Sequence, residues 1–157
     1  MSEENANGLL GFATLGQFLE EDGWYPQQLE DRNIYRMGFA GNNGDTTCYA
    51  QVLVDLEIFL FYVQWPVKVP EDARLAAAEY LTRANYGLRI GNFEMDFSDG
   101  EVRYKSSLDF EGATLTPDLI KHAIYPAVQT MDRYLPGLMA VMYGGKPAAE
   151  AIDEIES

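Results

Sequence analysis

The chain has 157 residues, of which 25 are acidic and 11 basic, so its formal net charge is −14. A single domain of this length buries enough apolar surface to fold without a metal or a disulfide. The negative charge repels phosphate backbones and anionic membranes, so we expect neither nucleic acid nor a membrane as a partner. The only cysteine, Cys48, excludes an intramolecular disulfide and a zinc site built on several thiolates.

The amino-terminal part predicts a flexible arm over residues 1–13, followed by a helix. Its first residues are acidic and no long apolar run follows, so we expect no secretory signal and a cytoplasmic protein. Thr14 and Gln17 have the spacing of a capping box, which predicts that the helix begins at Thr14. Gly23 predicts the end of this helix.

Period-two alternation predicts three strands in the next part of the chain. One begins at Ile34, and the others cover residues 46–54 and 58–65, separated by short polar turns. Alternate residues of the second strand, Cys48, Ala50, Val52 and Val54, are expected to share one face. The short connections predict an antiparallel meander.

The second half predicts a helix, a β-hairpin and a long final helix. A 3.6-residue period of alanine and apolar residues covers 73–88, and residues 92–97 and 102–110 alternate around the turn 98–101. Thr116 and Pro117 predict the start of the last long helix, which is expected to bend or break at Pro126 and Pro136 and to end at the pair Gly144 and Gly145.

These elements together predict an α+β fold with a five-stranded antiparallel sheet and packed helices, in the order α-β-β-β-α-β-β-α. The folded domain is expected to cover residues 14–145. Residues 146–157 are rich in alanine and acids, which is typical of an acidic tail or of one short helix.

No arrangement of reactive side chains predicts catalysis. The only histidine, His122, stands beside Lys121 in a helical pattern, and Cys48 lies mid-strand in an apolar row, where a thiol usually behaves as a small apolar group. The acidic turn around Asp96 resembles a calcium loop, but its glycine, Gly100, stands fifth rather than sixth. We therefore predict a protein that is not an enzyme, with no catalytic, metal or cofactor residues.

The third strand carries more apolar surface than one sheet face needs. Residues 58–65 are apolar on both faces, so the second face is also expected to be covered. Ile58, Leu60 and Tyr62 share a face with polar Gln64, and we predict that this row contacts a partner or a second subunit. The alternative, in which the chain's own helices cover the row, stays open at this point.

Several segments resemble the YbjN family. The resemblance is carried by residues 85–96 (NYGLRIGNFEMD), 99–109 (DGEVRYKSSLD), 132–136 (DRYLP) and 143–145 (YGG), and it extends over residues 14–145. It implies a fold similar to that of the type III secretion chaperones, which bind extended client segments and tend to dimerise. It implies no catalytic residue.

Three functions follow as hypotheses. The first is a chaperone-like or adaptor module, a homodimer that binds a protein client through apolar sheet or helix surface. The second is a regulatory or stress-related protein without a client groove. The third is an unrecognised enzyme or small-ligand binder, which would need a pocket in which acidic side chains converge.

Overall fold

The structure of the protein, a computed structural model, describes residues 3–157, and within that range it contains four α-helices and six β-strands. A short 3-10 turn, Glu3–Asn5, precedes the first helix, and a second one, Glu71–Ala73, precedes α2. The elements in chain order are α1 (Ala6–Glu21), β1 (Gln27–Gln28), β2 (Ile34–Ala40), β3 (Asp45–Leu53), β4 (Ile58–Gln64), α2 (Arg74–Asn85), β5 (Asn92–Met95), β6 (Val102–Asp109), α3 (Pro117–Gly144) and α4 (Ala148–Glu156).

The strands form one antiparallel sheet in the order β1-β2-β3-β4-β6-β5. The predicted α+β class and antiparallel sheet are confirmed, but the predicted five strands and their order are wrong. The additional strand, β1, consists of two residues that pair with Tyr35 and Arg36. Two residues are too few to display a period, so only the partner strand defines them as a strand.

All helices lie on one face of the sheet. α1 contacts β3, α2 contacts β5, α3 contacts β4 and β6, and α4 packs on α2 and α3. The strand side chains beneath them form the core; for example, Cys48, Val63, Tyr104 and Phe93 stand next to one another across four strands and are all buried. The sheet therefore has one covered face and one face without a helix.

The first helix corrects the predicted amino-terminal arm. It begins at Ala6 rather than at Thr14, while Met1 and Ser2 lie outside the described residues. Thr14 is a mid-helix residue whose hydroxyl donates to the carbonyl of Leu10 at 3.0 Å, so it caps nothing. The Asn7 amide donates to the carbonyl oxygen of Ala113 at 2.8 Å, which ties the start of the helix to the rest of the domain.

Two glycines explain why the start of α1 was hidden from sequence patterns. Gly8 lies against the carbonyl of Val54 and Gly11 lies against the ring of Phe110, so both positions exclude a side chain. Glycine is a poor helix former, and tertiary packing overrides that propensity here.

In the carboxyl-terminal half, the helices and strands follow one another as predicted, and the helix α4 is added at the end. Thr116 caps α3 by accepting a hydrogen bond from the Leu119 amide at 3.2 Å, as predicted, and the helix continues through Pro126 and Pro136 without a break. Within residues 146–157, Ala148–Glu156 form the short helix α4, and Ile152 of this helix is buried against the domain.

The close approach of Gly8 to Val54 gives a test of the docked first helix. Gly8→Ala should destabilise the protein by about 2 kcal/mol, because the added methyl group would overlap a backbone carbonyl. Gly87→Ala is the matched control, since Gly87 has open space around it and should change stability by less than about 1 kcal/mol. Urea unfolding monitored by circular dichroism measures both. An unchanged urea midpoint for Gly8→Ala would contradict the docked helix and favour the flexible arm that the sequence predicted.

Candidate protein-interaction surface

The structure places the predicted row of β4 on the sheet face without helices, which we call the open face. Phe59, Phe61 and Val63 are fully buried beneath the helices, and their neighbours along the strand point the opposite way. Ile58, Leu60 and Tyr62 are these neighbours, and all three are half-buried. The chain's own helices therefore do not cover this row.

Strand pairing brings further apolar side chains beside the row. Tyr49 of β3 stands opposite Tyr62, and Leu53 stands opposite Ile58. Ile34 of β2 stands opposite Gln51, which itself pairs with Leu60. We define the open-face patch by the six apolar side chains Ile34, Tyr49, Leu53, Ile58, Leu60 and Tyr62. They are half-buried because cross-strand neighbours shield one another.

A charged cluster borders the patch on the β5 side. The guanidinium of Arg103 lies 4.3 Å from the centre of the Tyr62 ring, a distance that favours a cation–π contact. Arg103 also donates to the Glu94 carboxylate at 2.8 Å, and the ammonium of Lys105 lies 3.0 Å from the other carboxylate oxygen.

The two cations set the charge of Glu94. Partial burial by itself would raise the pKa of this carboxyl, but hydrogen bonds from Lys105 and Arg103 outweigh that effect and hold the pKa below its ordinary value. Glu94 therefore stays ionised at neutral pH, and Arg103 is held over Tyr62.

The formal charges of the open face cancel. The strand positions on this face carry three cations and three carboxylates: Arg36, Arg103, Lys105, Asp45, Glu94 and Asp109. The whole chain carries −14. The excess negative charge is therefore carried by the helices, loops and sheet ends.

The residues that sequence patterns singled out for chemistry lie apart from one another. Cys48 is buried beneath the helices, and burial raises the pKa of its thiol to about 12, so the thiol is protonated at neutral pH. His122 is exposed on α3. Among residues 3–157, no group of three or more histidine, cysteine, aspartate or glutamate residues is arranged to hold a metal ion.

The acidic turn after β5 uses its carboxylates to hold its own backbone. Asp96 accepts hydrogen bonds from the amide and the hydroxyl of Ser98 at 2.8 and 2.6 Å. Asp99 accepts from the Glu101 amide at 3.0 Å and pairs with Lys68 at 3.1 Å. These bonds lower the pKa of both carboxyls and are typical of a stable turn.

Comparison with known proteins identifies the family. A family model named YbjN, described as "Putative bacterial sensory transduction regulator", matches residues 12–139. The chain belongs to the YbjN family. No curated protein matches the sequence significantly.

A solved structure shares the fold of this YbjN chain. It is described as "Crystal structure of YbjN, a putative transcription regulator from E. coli", and it superposes with a TM-score of 0.56 at 15% sequence identity. The match covers 77% of this chain and 85% of that one. The likeness to the type III secretion chaperones stays a prediction. In the described range 3–157, no helix is both long and apolar enough to cross a membrane.

Sequence patterns found β4 but missed its neighbours in the patch. Tyr49 alternates with Cys48 and Ala50, so its position on the second face of β3 was readable from the period of two. Ile34 and Leu53 were not assigned to that face because their partners depend on strand register, which the turns alone do not fix.

The raised pKa of Cys48 gives a test by alkaline pH. The thiol's pKa rises on folding from 9.0 to about 12, so its contribution to stability is complete below pH 9.0 and is lost as the pH rises towards 12. Between about pH 8 and pH 10, the free energy of unfolding of the parent chain should fall by about 1 kcal/mol more than that of Cys48→Ala. Parallel urea titrations measure the difference. An equal pH dependence of the free energy of unfolding in the two proteins would contradict a buried thiol with a raised pKa.

Proposed function

We propose that this YbjN chain is a non-catalytic regulator that acts by binding protein, and that its open-face patch binds a second copy of the chain. The observation that carries the proposal is the partly exposed apolar row of β4 on a sheet face that no helix covers. The family is described as a regulator, which agrees with a role that does not require catalysis.

Apolar area supports association through this face. Six large side chains of the patch are still partly in contact with water. Burying apolar surface gains roughly 25 cal/mol for each Å² removed from water. Two open faces packed against each other would form a sheet-on-sheet interface, in which aligned sheets lie about 10 Å apart. A two-fold axis would pair the same patch on both chains.

The distribution of charge supports a second copy of the chain as the partner that binds the open-face patch. Two chains of −14 each repel one another over most of their surfaces. The open face carries balanced charges, so two copies that meet there bring the least net charge together. Arg103 and Glu94 at its border can also pair across a two-fold axis, because each copy presents both signs.

The proposal also includes two expectations from the sequence, a chaperone-like homodimer and a location in the cytoplasm. The homodimer would share the tendency of the type III secretion chaperones to dimerise, and its client would bind apolar surface outside the dimer interface. We place its action in the cytoplasm, where its single thiol stays reduced.

A charge in the patch tests the proposal. Leu60→Glu should weaken self-association at least about tenfold, because it would place an unpaired carboxylate inside the interface. Leu75→Glu is the matched control, since Leu75 is 80% exposed on α2 and away from the open face. Sedimentation equilibrium measures the dissociation constant, and circular dichroism checks that both variants are folded.

Two results would overturn the proposed dimer. The first is a parent chain that stays monomeric up to about 100 µM, a concentration at which a weak specific dimer should form. The second is equal dissociation constants for Leu60→Glu and Leu75→Glu, which would place the interface on another surface.

A further inference from the structure

The outer edge of β2 is covered by another strand over only part of its length. β1 pairs with Tyr35 and Arg36 and goes no further. The two residues before it prevent a longer strand, because Tyr25 has a left-handed backbone (φ 52°) and Pro26 has no amide hydrogen. The edge of β2 beyond Arg36 is therefore left without a neighbour strand in the described chain.

The backbone groups along this free edge have a definite direction. Val52 donates to the carbonyl of Asn33, so the odd-numbered residues of β2 face β3. Leu29 donates to the carbonyl of Ile34, so the even-numbered residues face outward. Gly38 and Ala40 consequently direct their amides and carbonyls away from the sheet, and both residues are exposed.

Hollows lie on both sides of the same edge. On the helix side, a pocket of about 390 Å³ is lined by Trp24, Phe39 and Tyr125. On the open-face side, a pocket of about 310 Å³ is lined by Gln27, Arg36 and Thr47 together with Tyr25, Met37 and Gly38. Tyr25, which is 86% exposed, lines both pockets. Side chains of an added strand would alternate between two such hollows, because they point to opposite faces.

The helix-side pocket combines aromatic rings with a carboxylate. The indole of Trp24 and the hydroxyl of Tyr125 both donate to Oδ2 of Asp22, at 2.9 and 2.6 Å. Neither of these two bonds uses Oδ1 of Asp22, which is an exposed residue. The rings of Trp24 and Phe39 stack with centres 6.1 Å apart, and the ammonium of Lys121 already lies 5.6 Å from the centre of the Tyr125 ring.

This lining favours a cationic side chain. Aromatic faces attract guanidinium and ammonium groups, and Oδ1 of Asp22 can accept a hydrogen bond from them. The long stem of arginine or lysine packs on apolar rings while its charged head reaches a carboxylate. The net charge of −14 attracts a basic segment over a longer range.

We propose that the free edge of β2 binds an extended basic segment of another protein as an added strand, with an arginine or lysine side chain in the pocket of Asp22, Trp24, Phe39 and Tyr125. Gly38 and Ala40 supply the backbone hydrogen bonds, and the pocket supplies the preference for a cation. This site lies at the sheet edge and is separate from the open-face patch, so it goes beyond self-association.

Three degenerate peptide pools test the preference for a cation. Each pool contains peptides of about nine residues with Thr, Ser, Val and Ile mixed at every position except the centre, which is Arg, Ala or Glu. The Arg pool should bind at least about tenfold more tightly than the Ala pool, and the Glu pool should bind least. Titration monitored by amide chemical shifts measures all three. No binding by the Arg pool, or equal binding by the three pools, overturns the proposal.

Amide hydrogen exchange tests the strand addition itself. With the Arg pool bound, the amides of Gly38 and Ala40 should exchange at least about tenfold more slowly, while those of Met37 and Phe39, which already face β3, should change little. Binding without this alternating protection would place the peptide elsewhere and contradict the added strand.

A matched pair of variants tests the pocket. Asp22→Asn keeps both internal hydrogen bonds but removes the charge, so it should weaken binding of the Arg pool about tenfold and leave the Ala pool unchanged. Asp72→Asn removes an exposed carboxylate before α2 and should change neither. If both variants lost the same affinity for the Arg pool, overall charge would explain the effect, and the proposed binding of a cation in the pocket would be contradicted. Leu60→Glu should bind the Arg pool normally, which separates this site from the proposed dimer.

Discussion

The organisation of this molecule depends on one constraint, which is that a strand apolar on both faces lies in a sheet that helices cover on one side only. Phe59, Phe61 and Val63 pack beneath the helices, and Ile58, Leu60 and Tyr62 are left facing outward. Complete burial of such a side chain stabilises a protein by about 1.5–3 kcal/mol, so the half-burial of this row leaves free energy that association can recover. The outward row of β4 is thus available as an apolar surface, while the inward row of the same strand remains part of the core.

Charge determines where that surface can be used. The helices, loops and sheet ends carry the excess of acids, whereas the open face is balanced and two of its three cations, Arg103 and Lys105, are held in place by Glu94. A repulsive exterior with one neutral apolar face favours a single mode of contact over indiscriminate association. In the second site that we propose, at the free edge of β2, the outward backbone groups and the carboxylate of Asp22 suit an extended basic segment rather than a folded surface.

The sequence predicted the elements whose signals are local. The alternation around Cys48 identified β3, and Thr116 with Pro117 located the start of α3. It could not locate the start of α1, because Gly8 and Gly11 resemble loop residues until their contacts with Val54 and Phe110 are known. The predicted strand over residues 92–97 is two residues too long, since β5 ends at Met95 and Phe97 beyond it is 52% exposed. The free edge of β2 was not predictable either, because it depends on where a distant segment stops pairing.

Solvent paramagnetic relaxation tests the central idea, that the outward row of β4 is exposed in one chain and buried between two. A soluble gadolinium chelate should broaden the methyl signals of Leu60 and Ile58 strongly at about 20 µM and only weakly at about 500 µM, as the dimer forms. The methyl signals of Val63 should be protected at both concentrations, and those of Leu75 at neither. Leu60 and Ile58 signals that are equally broadened at both concentrations would contradict the account.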